Sequence, residues 1–214
     1  MRQNILNITV GSLAGLLLAG PSVAQMTDKL TFNVGGGFTE PVRASGRLDP
    51  GFNITAAGGV NLTPNFGVLA EFGFNHLDLS RRALNFAGVP DGSSRIYSVT
   101  LNPIVHFNPK GRFDAYVEGG GGYYRRTVEL TTPTIATVTL FDPFIGLFFP
   151  AAIPTNTVLG SFTQNKGGLN IGAGVEVRVK EDGKAKIFAE SRYHYIYTSP
   201  RATQILPVTF GLRW

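Results

Sequence analysis

From about residue 30 to Trp214, apolar side chains fall at every second position in runs of roughly 9 to 14 residues. A period of two places those side chains on one face of a strand, whereas a helix would repeat them every three or four residues. Phe52, Ile54, Ala56, Gly58, Val60 and Leu62 oppose Asn53, Thr55, Ala57, Gly59 and Asn61. Phe66, Val68, Ala70, Phe72 and Phe74 then oppose Gly67, Glu71, Gly73 and Asn75. The design recurs at Tyr97 to Phe107, at Phe113 to Tyr123, at Leu169 to Val179, at Ile187 to Tyr197 and at Leu206 to Trp214. With a first strand near Leu30 to Phe38, the pattern predicts eight strands, near residues 30–38, 51–62, 66–77, 94–107, 113–126, 167–179, 185–197 and 204–214.

A soluble sandwich also alternates, so the connections and the polar face have to separate the two folds. Thr63-Pro64-Asn65, Asn108 to Gly111 and Glu181-Asp182-Gly183 make tight turns. The intervening connections, near residues 39–50, 79–93, 130–166 and 198–203, are mostly longer, as in a membrane barrel with short periplasmic turns and long external loops. Phe66, Phe107, Phe113 and Trp214 gather at one expected rim, and Tyr123, Tyr195 and Tyr197 towards the other, as headgroup-level girdles do. Hydrophobic residues make up 43% of the chain and charged ones 15%, yet after residue 24 no apolar run is long enough to span a bilayer as a helix. The expected fold is therefore all-β, a closed antiparallel transmembrane barrel. The chain has no cysteine, hence no disulfide framework or thiolate metal site, and its +5 charge is too thinly spread to indicate nucleic acid.

A third feature, which a sandwich core would not tolerate, is the charge on the face opposite the apolar rows: Glu71, Asp114, Glu118, Glu176, Arg178, Lys186, Glu190, Arg192 and Arg213. An eight-stranded barrel is only wide enough for its own side chains, and an unpaired buried charge costs several kcal/mol. We therefore expect a lumenal network in which Glu71, Glu118, Glu176 and Glu190 meet Arg178, Arg192 and Arg213. A conduction or proton path using these carboxylates and His194 is the functional alternative.

Residues 1–24 read as a cleaved signal peptide: Arg2, a mostly apolar stretch from Ile5 to Gly20, then Pro21, Ser22, Val23 and Ala24. The barrel domain is then expected to occupy residues 25–214, beginning at Gln25.

Val117-Glu118-Gly119-Gly120-Gly121-Gly122-Tyr123, Ala189-Glu190-Ser191-Arg192-Tyr193-His194-Tyr195 and the terminal Phe210-Gly211-Leu212-Arg213-Trp214 carry a family likeness. With the leader, they resemble the eight-stranded outer-membrane barrels typified by the OmpA membrane domain, without its periplasmic peptidoglycan-binding domain. The resemblance implies a bacterial outer-membrane location. It also implies that Phe210, Leu212 and Trp214 form the signal read by the barrel-assembly machinery. It implies little about activity, because the family is functionally mixed.

The connection from Thr131 to Asn165 is unusually apolar, with Phe141, Phe144, Phe148 and Phe149 around Pro143 and Pro150. Such a patch suits a mouth for small hydrophobic molecules, an adhesive tip, or phenylalanines that pack on each other or dip into the outer leaflet. Arg81, Arg82, Arg125 and Arg126 fall near the expected outer rim, where they suit lipopolysaccharide phosphates or plain solvation. For catalysis, His194 shares a face with Glu190, but Ser191 points the other way and Ser199 lies in a loop. His76 and His106 bring no partner motif. No metal-spaced cluster or phosphate loop is present, since no helix follows Gly119 to Gly122. The reading is a monomeric, cofactor-free and non-enzymatic barrel serving envelope structure and surface interaction. Its expected partners are membrane lipid and a surface partner or hydrophobic ligand. The alternative is a narrow, OmpW-like channel or carrier for small hydrophobic compounds, and behind it a lipid-modifying barrel enzyme.

Overall fold

A computed structural model describes residues 29–42, 47–180 and 185–214. The proposed leader and the Glu181–Gly183 turn lie outside these residues. Eight strands follow one another: β1 (Leu30–Pro41), β2 (Leu48–Asn61), β3 (Phe66–Leu79), β4 (Asp91–His106), β5 (Phe113–Asp142), β6 (Leu147–Arg178), β7 (Lys186–Ile196) and β8 (Thr203–Arg213). Each pairs antiparallel with its sequence neighbours, and β8 returns to β1, closing the barrel. Closure removes the sheet edges that could not survive in lipid.

The period-two pattern sets which side faces lipid. Phe32, Phe52, Ile54, Phe72, Val99, Leu101, Ile171 and Phe210 all stay exposed on the isolated chain, while the alternate positions are buried inside. The seam is held by Phe32 and Trp214, whose backbones exchange two hydrogen bonds of 2.9 Å and whose rings lie 6.2 Å apart. The four-glycine run relieves crowding between β4 and β5: a Cβ on Gly120 or Gly122 would stand 1.9 or 2.0 Å from the carbonyl oxygens of Leu101 or Val99.

Two connections differ from expectation. The segment 131–165 is not an irregular loop, and β5 and β6 do not stop near 126 and 167. The strands continue to Asp142 and from Leu147, forming one long hairpin that turns over residues 143–146. The physical reason is register: from Thr131↔Val158 to Asp142↔Leu147 the two arms pair without a break. The connection between β3 and β4 contains a short helix, α1 (Arg81–Ala87). The Ser80 side chain caps its start by accepting from the Ala83 N–H, and Gly88 ends it in the left-handed region at φ 66°.

Candidate functional site: the filled lumen and the external hairpin

Inward-facing side chains form successive apolar and charged clusters along the barrel. At the external end Leu48, Leu77, Ile96, Tyr124, Ile196 and Ile205 form a buried apolar layer. Sequence reading expected a polar lumen and missed this layer, although Leu77 and Ile96 sit at inward positions of their alternating strands.

Beneath it, Arg192 on β7 gathers three carboxylates from three strands. Its Nη1 and Nη2 donate to Glu71 Oε1 and Oε2 at 2.7 and 3.0 Å, the bidentate fork that a guanidinium offers. Nη2 also pairs with Glu118 and Glu190. The second Glu190 oxygen accepts from the Tyr116 hydroxyl at 2.9 Å. Three carboxylates thus face one guanidinium, all buried.

A second apolar layer of Leu69, Ile104 and Tyr116 follows. At the periplasmic end Arg213 lies over the Tyr116 ring at 4.5 Å and donates through Nη1 to Glu176 Oε2 at 2.8 Å. Lys186 pairs with the other Glu176 oxygen. His106 Nδ1 lies 2.7 Å from Asp114 Oδ2, and Asp114 Oδ1 accepts from the Asn108 N–H at 2.6 Å.

The anticipated charges therefore do not make one network. Glu71, Glu118, Glu190 and Arg192 form the central cluster, and Glu176 and Arg213 belong to a separate one at the periplasmic end. Arg178 reaches out of the lumen to the Pro109 carbonyl at 3.0 Å, in the β4–β5 turn. Tyr116 and His106 were not anticipated as members, because their partners lie on distant strands. His106, Asp114 and Glu176 hold one ligand atom each within 4.8 Å of one another, a donor set a divalent cation accepts. Lys186 and Arg213 already oppose the Glu176 charge, so side chains balance this cluster.

His194 Nδ1 meets the Tyr124 hydroxyl at 2.9 Å rather than Glu190, and Ser191 faces outward from the strand. His76 stacks on Phe52 at 5.3 Å, near Asp78. Among the described residues, these hydrogen bonds do not bring His194 together with Ser191 or Ser199 and Glu190.

Outside the barrel, β4 leaves β5 at Thr131, and the last backbone bond from the β7 side to β6 runs from the Tyr197 N–H to the Gly167 carbonyl at 3.0 Å. Beyond these points, among the described residues, the backbones of the two arms pair only with each other. Near the tip Phe141 and Phe148 pack at 5.0 Å between ring centres, with Phe149 beside them and Phe144 at the turn, 96% exposed. Arg81 and Arg82 lie exposed on α1, Arg125 faces outward and Arg126 inward at the external rim. Phe210, Leu212 and Trp214 line the outer face of the closing strand.

The sequence profile of the outer membrane protein β-barrel domain matches residues 11–213. The chain belongs to the outer-membrane β-barrel family. This barrel therefore resides in the bacterial outer membrane, with short periplasmic turns and the long hairpin outside. It is similar to Neisserial surface protein A, with a TM-score of 0.58 over 86% of this chain and 95% of that one at 14% identity. It is also similar to a major outer membrane protein from Thermus thermophilus, with a TM-score of 0.55 over 87% of this chain and 98% of that one at 11% identity. At such identities the likeness is one of fold. No curated protein matches the chain.

Proposed function

We propose that this is a non-enzymatic surface protein in which the filled barrel is the anchor and the β5–β6 hairpin is the contact element. The observation that carries the reading is the pair of unpaired strand edges outside the barrel: among the described residues, 132–142 of β5 and 147–166 of β6 each have a backbone partner on one side only. Unpaired N–H and C=O groups on such an edge accept an added strand, and exposed side chains next to them supply selectivity. Ile135, Phe141, Phe148 and Phe162 are apolar side chains exposed along these arms. The occupant is an extended segment of a surface partner, and the barrel contributes to the envelope by its insertion. The leader 1–24 directs export and is removed, and Phe210, Leu212 and Trp214 serve assembly.

The filled lumen favours an anchor over a carrier, since a passing molecule would have to push through both apolar layers. The test is selection of extended peptides on the folded protein, comparing the full chain with a variant in which Thr132 to Val158 is replaced by an Asn-Gly turn. Peptides retained by the full chain and lost from the shortened one are expected. Equal retention by both would overturn the reading.

A further inference from the structure

At the external mouth, above the apolar layer, lies a cavity of about 310 Å³ lined by Arg47, Arg126, Ser199, Arg201, Thr203 and Gln204, with Leu48 as an apolar wall. Arg126 is fixed in place: Nε donates to Ser94 Oγ at 3.2 Å and Nη1 to Thr203 Oγ1 at 3.0 Å. Both hydroxyl residues are buried, at 0 and 2% exposure. Arg47 acts on Arg126 as a like charge. The connection that carries Arg201 is held by Thr198 Oγ1 donating to the Arg201 carbonyl at 2.8 Å and by Gln164 Nε2 donating to the Ser199 carbonyl at 2.8 Å.

Arg95, Arg192 and Arg213 each pair with a carboxylate. None of the described lining residues of this cavity is acidic, and no described carboxylate pairs with Arg126. Positive groups gathered against an apolar wall, with hydroxyl and amide donors beside them, favour a compact multivalent oxyanion.

We propose that this cavity is a phosphate-ester site, with Arg126 as the fixed donor and Arg47 and Arg201 closing over the oxyanion. The phosphate comes either from a phosphorylated lipid headgroup at the rim or from a soluble phosphate ester entering from outside. The proposal does not rest on the hairpin being a contact element, and Gln164 at the base of its β6 arm serves here only to steady the connection that carries Arg201.

The test is calorimetric titration of the folded protein in nonionic detergent with inorganic pyrophosphate. Saturable binding at one site is expected. Arg126→Gln and Arg201→Gln should each weaken it by about tenfold, the loss of one charge-assisted contact. Arg125→Gln, an outward-facing neighbour, should leave it unchanged. Arg201 sits on an exposed connection, so its variant tests the site even if Arg126→Gln fails to fold. Absence of saturable binding, or equal weakening by Arg125→Gln, would overturn the proposal. The source follows from competition by lipid A in mixed micelles. Displacement by the phosphorylated form and not the dephosphorylated form assigns the headgroup. Saturable pyrophosphate binding that neither form displaces assigns a soluble ester.

Discussion

At Arg192 a single guanidinium holds three carboxylates delivered by β3, β5 and β7. The charges are unequal, so the two ways of disturbing the cluster should differ greatly. Arg192→Leu leaves Glu71, Glu118 and Glu190 facing one another without a cation, and should lower the unfolding free energy by about 3–5 kcal/mol. Glu118→Gln removes one of three like charges and should cost far less. Urea titration from lipid vesicles measures both, and equal losses would show that Arg192 does not organise the layer. Gly174 is a second sensitive position, because a Cβ there would stand 2.4 Å from Tyr116 Cζ. Gly174→Ala should push Tyr116 off Glu190 and cost about 1–3 kcal/mol. The inward direction of these charges was legible from strand parity alone. Their partners were not: Glu71 and Arg192 are 121 positions apart, and only the stagger of a closed barrel decides which rungs meet.

Among the elements, the hairpin stands apart from the barrel that carries it. Each barrel strand is paired on both sides, whereas the hairpin arms lean on each other and run on for roughly 35 Å at about 3.3 Å per residue. Exchanging Thr132 to Val158 for an Asn-Gly turn should therefore leave the heat-dependent gel mobility of the folded barrel unchanged. Loss of the shift would mean that the arms support the barrel. The barrel strands were readable because lipid on one face and packed polar groups on the other enforce strict alternation. The hairpin was not, since solvent surrounds both of its faces and Pro133, Pro150 and Pro154 suggest a break. Proline is tolerated on an edge strand, where its missing N–H can face water without costing a ladder bond. Helix α1 escaped notice for another reason: at seven residues it is too short to show a period, and only Ser80 and Gly88 mark its ends.

For the whole molecule, the order of the layers decides permeability. The external apolar layer spans strands β2, β3, β4, β5, β7 and β8 and lies in the lumen above the charges. Planar bilayer recording should show no steady current through the intact protein, and none after Glu118→Gln, because the barrier is dry rather than charged. Ile96→Ser and Ile205→Ser combined with Ile104→Ser in the second layer should admit water and produce a small current. Steady current through the unmodified barrel would show that the layer opens.

The hairpin also rises from one side of the ring, over β5 and β6, and not from its centre. A barrel spins about the membrane normal as it diffuses, so the tip travels round a circle instead of turning on a point. Each anchored molecule thereby patrols an annulus wider than its own footprint. On the contact role proposed for the hairpin, a modest copy number would cover the cell perimeter with moving contact points while committing little bilayer area to them.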